Sequence, residues 1–107
     1  MPTYNKLVRD LIPQVIEQAG KKCNTRILDD QEYIVELHKK LGEEVSEYLH
    51  SQSNQEALEE LADILELLHA LTTYHGYTLH DLESLRQKKA EQRGGFKEKI
   101  FLIDVED

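Results

Sequence analysis

Apolar residues recur at helical spacing through most of this chain. Ile34, Leu37, Leu41, Val45 and Tyr48 form one stripe, and Leu58, Leu61, Ile64, Leu65, Leu68 and Leu71 form a wider one. Steps of three and four residues return to one side of an α-helix, so each run predicts an amphipathic helix. The earlier of the two begins at Asp29 or Asp30 and runs to about His50, with Asp29 and Glu32 spaced as a capping box. Ser53 with Glu56 opens the next helix, which Gly76 ends, and Thr78 with Asp81 opens another that stops at Gly94. Ahead of these, Leu11 to Ala19 reads as a short first helix, with Pro13 in its first turn and Gly20 as its stop. Thr25 and Ile27 allow a short strand, and the tail from Lys99 to Val105 is rich in β-formers. Residues near 25–28 and 99–105 can therefore pair as a short two-stranded ribbon. The expected architecture is mainly α: one compact four-helix domain over residues 1–107, with that ribbon at its side. The wide stripe of the third helix implies cover on more than one side, and hence a homodimer or homotetramer.

Composition narrows the field. The net charge of −8 argues against a nucleic-acid binder, whose footprint is normally basic. No stretch approaches the roughly 20 apolar residues of a membrane span. The opening Met-Pro-Thr-Tyr-Asn-Lys has no apolar core like that of a signal peptide. Cys23 has no second cysteine to pair with, which fits a reducing cytoplasm, the expected location.

The acids carry the chemistry. Glu44 and Glu47 stand three apart on the second helix, and Glu60 and Asp63 three apart on the third. Residues at that spacing share a helical face. The connection Ser51 to Asn54 is short, so the two helices are antiparallel neighbours. Measured from the midpoint between Gln52 and Ser53, one acid pair centres seven residues before the turn and the other nine after it. At the rise of an α-helix the mismatch is only about 3 Å, so all four can face one another. Solvated surface acids are the competing reading, and Glu43 and Glu59 fall on other faces. Four carboxylates without His or Cys suit Mg²⁺, with Mn²⁺ as a substitute, better than Zn²⁺. Such an ion commonly bridges to phosphate and activates water.

A rival metal pattern is present. Glu47-x-x-His50 and Glu66-x-x-His69 have the spacing used by di-iron carboxylate bundles. Their centres differ by roughly 16 Å along the helices, so one chain cannot use both at one site. Cations complete the set of candidates. Lys89 and Arg93, ahead of Gly94-Gly95, can clamp phosphate, or can simply favour a helix C-terminus. Lys6 and Arg9 can add positive charge to the same pocket; the alternative for Arg9 is a local pair with Asp10.

In this order the segments resemble a known family. Glu43-Glu44-x-x-Glu47, twelve residues, then Glu60-x-x-Asp63 is similar to the signature of MazG-type all-α nucleoside triphosphate pyrophosphohydrolases. Tyr4-Asn-Lys-Leu-Val-Arg-Asp-Leu-Ile-Pro13 and Lys89-x-x-x-Arg-Gly-Gly-Phe96 resemble flanking segments of its phosphoribosyl-ATP pyrophosphohydrolase-like branch. The resemblance implies an oligomeric helical fold and Mg²⁺-dependent cleavage between the α and β phosphates, giving a nucleoside monophosphate and pyrophosphate. It implies Glu44, Glu47, Glu60 and Asp63 as metal ligands and Lys89, Arg93, Lys6 and Arg9 near the triphosphate. Removal of noncanonical or excess nucleotides is the expected role. Phosphoribosyl-ATP hydrolysis and a non-catalytic helical nucleotide-binding or interaction module are the alternatives.

Overall fold

The computed structural model describes residues 2–107, and four helices account for all its regular structure among them. They are α1 (Ile12–Gln18), α2 (Asp30–Leu49), α3 (Asn54–Tyr74) and α4 (Leu79–Arg93). The sequence places each of these to within a residue or two at either end, the usual uncertainty of a helix terminus. No helix among the described residues is long and apolar enough to cross a membrane.

The caps explain where the helices begin. The Asp29 side chain accepts a hydrogen bond from the Glu32 backbone N–H at 2.8 Å. The box is not reciprocal, because Arg26 takes both oxygens of Glu32, at 3.2 and 2.7 Å. Ser53 Oγ accepts from the Glu56 N–H at 3.1 Å, and Glu56 reaches past Ser53 to the Gln52 N–H at 2.8 Å. Only Thr78 and Asp81 close a full box, with 3.1 and 2.9 Å bonds. Gly94 ends α4 at φ +81°, a backbone conformation that costs glycine nothing.

α2 and α3 form the antiparallel hairpin at the centre of the molecule, and they make by far the most extensive helix contact. Between them lie the two most buried residues, Leu37 at 2% exposure and Glu44 at 8%. α3 buries no residue completely along its 21 residues. α4 meets α3 only sparsely, and nearly all its side chains are exposed. The molecule is long, 62 × 36 × 25 Å, with a radius of gyration of 18.4 Å. A compact chain of this length has a radius of gyration near 13 Å, so much of its apolar surface stands in solvent.

The ribbon expected from residues 25–28 and 99–105 does not form. Neither segment is a strand, and Ile27 is 95% exposed. Lys99 adopts φ +60°, outside the β region, and bonds back to the Phe96 carbonyl in a turn. That turn breaks the candidate strand at its first residue. Beyond it Ile100, Phe101, Leu102, Ile103 and Val105 are all exposed. β-forming residues were present, but no sheet face exists here for them to cover.

The Ser53 cap holds the hairpin turn in place. Ser53→Ala is expected to destabilise the fold by about 1 kcal/mol, and Ser53→Asp by far less, measured by urea unfolding. Equal losses for both would show that the hydroxyl does not cap.

Candidate metal centre

The turn of Ser51–Ser53 sets the level at which α2 and α3 carry their acids. One carboxylate oxygen each of Glu44, Glu47 and Glu60 lie within 4.8 Å of one another. Three negative groups this close repel unless a proton or a cation intervenes. Glu44 and Glu60 each also bury an oxygen, Oε2, with no hydrogen-bond partner. Burial pushes the Glu44 carboxyl up to about 7, helped by its contact with Glu60 and by repulsion from Glu47, Asp63 and Glu60.

Asp63 adjoins this group but is otherwise engaged. Arg9 Nη2 donates to Asp63 Oδ1 at 2.6 Å, a contact across 54 residues of sequence. It draws the N-terminal segment over the hairpin. Val8, Arg9 and Ile12 from that segment, with Lys40, Glu44, Asp63, Glu66 and Leu67, line a hollow of about 270 Å³. The Arg9–Asp10 pair weighed from the sequence loses to this longer connection. Lys6 Nζ lies 3.6 Å from Glu43, with both side chains about half exposed, so this pair adds little stability.

Two contributors escaped the sequence reading. Lys40 Nζ approaches Glu44 Oε1 at 3.9 Å and lines the hollow. Its signal was the i,i+4 spacing to Glu44, a common geometry for helical ion pairs. Glu66 also lines the hollow, although its spacing pointed to His69. His69 lies with Asp30, Tyr33, Glu66 and Tyr74 around a second hollow nearer the open end of the hairpin. The His50 ring donates from Nδ1 to the Ser46 carbonyl at 2.8 Å. Among the described residues neither histidine joins the three-carboxylate group, whose donors are all oxygen.

Lys89 and Arg93 stand apart. Both are thirteen or more residues beyond Gly76, and Asp63 is thirteen before it, so an α4 folded back on α3 would bring Lys89 level with the acids. The sparse α3–α4 contact shows that α4 does not fold back in this way. Neither cation lines the acidic hollow, and neither makes an ion pair among the described residues.

The acid group fits a hard divalent cation. Its donors are carboxylate oxygens, Glu44 and Glu60 each bury one oxygen without a hydrogen-bond partner, and the neighbouring Asp63 offers a further carboxylate. Mg²⁺ and Mn²⁺ suit such donors.

Comparison with known proteins adds little to this geometry. No family model and no solved structure matches the chain. An uncharacterized protein of Mycolicibacterium smegmatis (strain ATCC 700084 / mc(2)155) is 43% identical over 54 residues. The match covers 50% of this chain and 55% of that relative, so the two are compared over about half their lengths.

The raised Glu44 carboxyl has a consequence for stability. Its folded pKa, about 7, lies above the ordinary value of 4.5, so the folded state favours the protonated form. That contribution is fully present below about pH 4.5 and is lost as the pH rises through about 7. In metal-free protein, Tm should therefore fall between pH 5 and pH 8, and Glu44→Gln should flatten the fall. Mg²⁺ should raise Tm more at pH 8 than at pH 5.5. A Glu44→Gln profile that tracks the wild type would remove Glu44 as its source.

Proposed function

We propose that this protein is a Mg²⁺-dependent nucleotide pyrophosphohydrolase. It cleaves a nucleoside triphosphate between the α and β phosphates, releasing a nucleoside monophosphate and pyrophosphate, and serves nucleotide clean-up in the cytoplasm. The observation that carries this reading is the convergence of Glu44, Glu47 and Glu60 with two buried oxygens unsatisfied. The resemblance of the acid motif and its flanking segments to the MazG-type enzymes supports it.

Glu44, Glu47 and Glu60 would hold the metal, with Asp63 beside them. When bound, the ion supplies charge stabilisation for phosphate oxygens and lowers the pKa of water. The protein's own groups do the rest. Arg9 presents a planar fork at the wall of the hollow and can pass from Asp63 to a phosphate oxygen. Lys40 adds a second positive charge on the same wall. Glu47, the most open of the three clustered acids, can take the proton of the attacking water. No serine, cysteine or histidine is arranged for covalent catalysis, so direct attack by water is the simplest route.

The test is a panel of canonical and modified NTPs and dNTPs with Mg²⁺, resolving monophosphate, diphosphate, pyrophosphate and orthophosphate. Monophosphate with pyrophosphate in equal amounts is the expected outcome, and diphosphate with orthophosphate would overturn it. Asp63→Asn should lower turnover by roughly 10–100-fold, because it weakens both the acid set and the Arg9 anchor. Its helical circular dichroism should stay intact. Near-wild-type turnover in that variant would remove Asp63 from the mechanism.

A further inference from the structure

The hollow at the open end of the hairpin differs in chemistry from the acid hollow. It measures about 840 Å³, an ordinary size for a small-molecule site. Tyr33 from α2 and Tyr74 from α3 stand in its wall, with ring centroids 6.2 Å apart and planes inclined by 59°. Asp30, Glu66 and His69 supply its polar side. Among the described residues no lysine or arginine lines it, whereas Arg9 and Lys40 line the acid hollow. The acid hollow therefore offers cations to phosphate. Its neighbour offers aromatic surface to a flat, uncharged group.

One residue joins the two hollows. Glu66 lines both. On α3 it stands three residues beyond Asp63, and His69 three residues beyond that. At the rise of an α-helix, His69 is about 9 Å past Asp63 along the axis. A ligand that reaches Arg9 with phosphate and Tyr74 with an aromatic ring needs a polar spacer between the two. A nucleotide has this build, with its sugar as the spacer.

Glu66 and His69 also define the edge that the ring must carry. A carboxylate only accepts hydrogen bonds, and a neutral imidazole donates from one of its nitrogens. Three residues apart on one helix, they set an acceptor beside a donor. The complement is a ring edge with an amine next to a bare ring nitrogen, as in adenine and cytosine. Hypoxanthine and uracil reverse the order, with a carbonyl oxygen next to a ring N–H, and would set oxygen against oxygen at Glu66. Asp30 adds a second acceptor from α2. Among the described residues neither Asp30 nor Glu66 makes an ion pair, so both carboxylates are available to a ligand.

We infer that this hollow is a base-reading subsite that selects nucleotides whose base carries an amine on its pairing edge. Tyr33 and Tyr74 stack on the base, Glu66 accepts from the amine, and His69 donates to the ring nitrogen beside it. The inference rests on the nucleotide reading above and adds the class of base to it. It also gives the Glu66-x-x-His69 spacing a use that needs no metal.

Bases that differ only at this edge provide the test. Turnover is compared as kcat/KM for ATP against ITP and for CTP against UTP. Calorimetry with AMP, IMP, CMP and UMP reads binding without any turnover. In both assays the amino member of each pair is expected to be favoured about ten-fold. Glu66→Gln should bring the members of each pair together, because an amide can accept or donate. Tyr74→Ala should weaken all four monophosphates about ten-fold and keep the preference for the amine. Equal values within both pairs would overturn the inference, as would a preference that Glu66→Gln leaves intact or a Tyr74→Ala protein that binds like the wild type. Pyrophosphate release without discrimination would sink the subsite and spare the hydrolase reading. Discrimination among the monophosphates without pyrophosphate release would do the reverse.

Discussion

A carboxylate buried between two helices is the constraint on which this structure turns. Leu37 and Glu44 are the most enclosed residues of the chain, both on the side of α2 that meets α3. Leu37 favours closing the hairpin. Glu44 opposes it, because its charged form loses water and faces three other acids. The same placement gives the site its capacity. Groups that are costly to ionise when alone are the ones a cation stabilises most. Structural stability and the proposed metal affinity are therefore set against each other at one residue.

The N-terminal segment is held by that arrangement. Arg9 crosses to Asp63 and brings Val8 and Ile12 over the hollow. This contact does more than hold a surface charge. It closes one wall of the site with a cation that the acids themselves attract, and it leaves Glu44, Glu47 and Glu60 as the converging three.

Local signals were readable in the sequence, and distant ones were not. Each helix announced itself through periodicity and a capping residue, and the level of the acids followed from turn length and helical rise alone. Two boxes proved one-sided, because Arg26 competed for Glu32 and Gln52 for Glu56. Spacing along the chain cannot show such competition. Lys89 and Arg93 were expected near the triphosphate from the resemblance, and whether α4 brings them there is a matter of tertiary packing on which periodicity is silent. The ribbon failed for a related reason. β-propensity marks residues that fit a sheet, and residues 25–28 and 99–105 meet no such surface in the single chain.

The hairpin also has a kinetic meaning. Glu44 and Asp63, the outermost of the four site acids, are only 19 positions apart, with the turn between them. Bringing them together requires closing one short loop, and chains dominated by such local contacts fold quickly. This stretch can coil and pair before the sparsely attached α4 finds its place. The hairpin would then gather its cluster of negative charge early in folding. An ion captured at that stage would hold the two helices together while α4, which meets them only sparsely, is still settling.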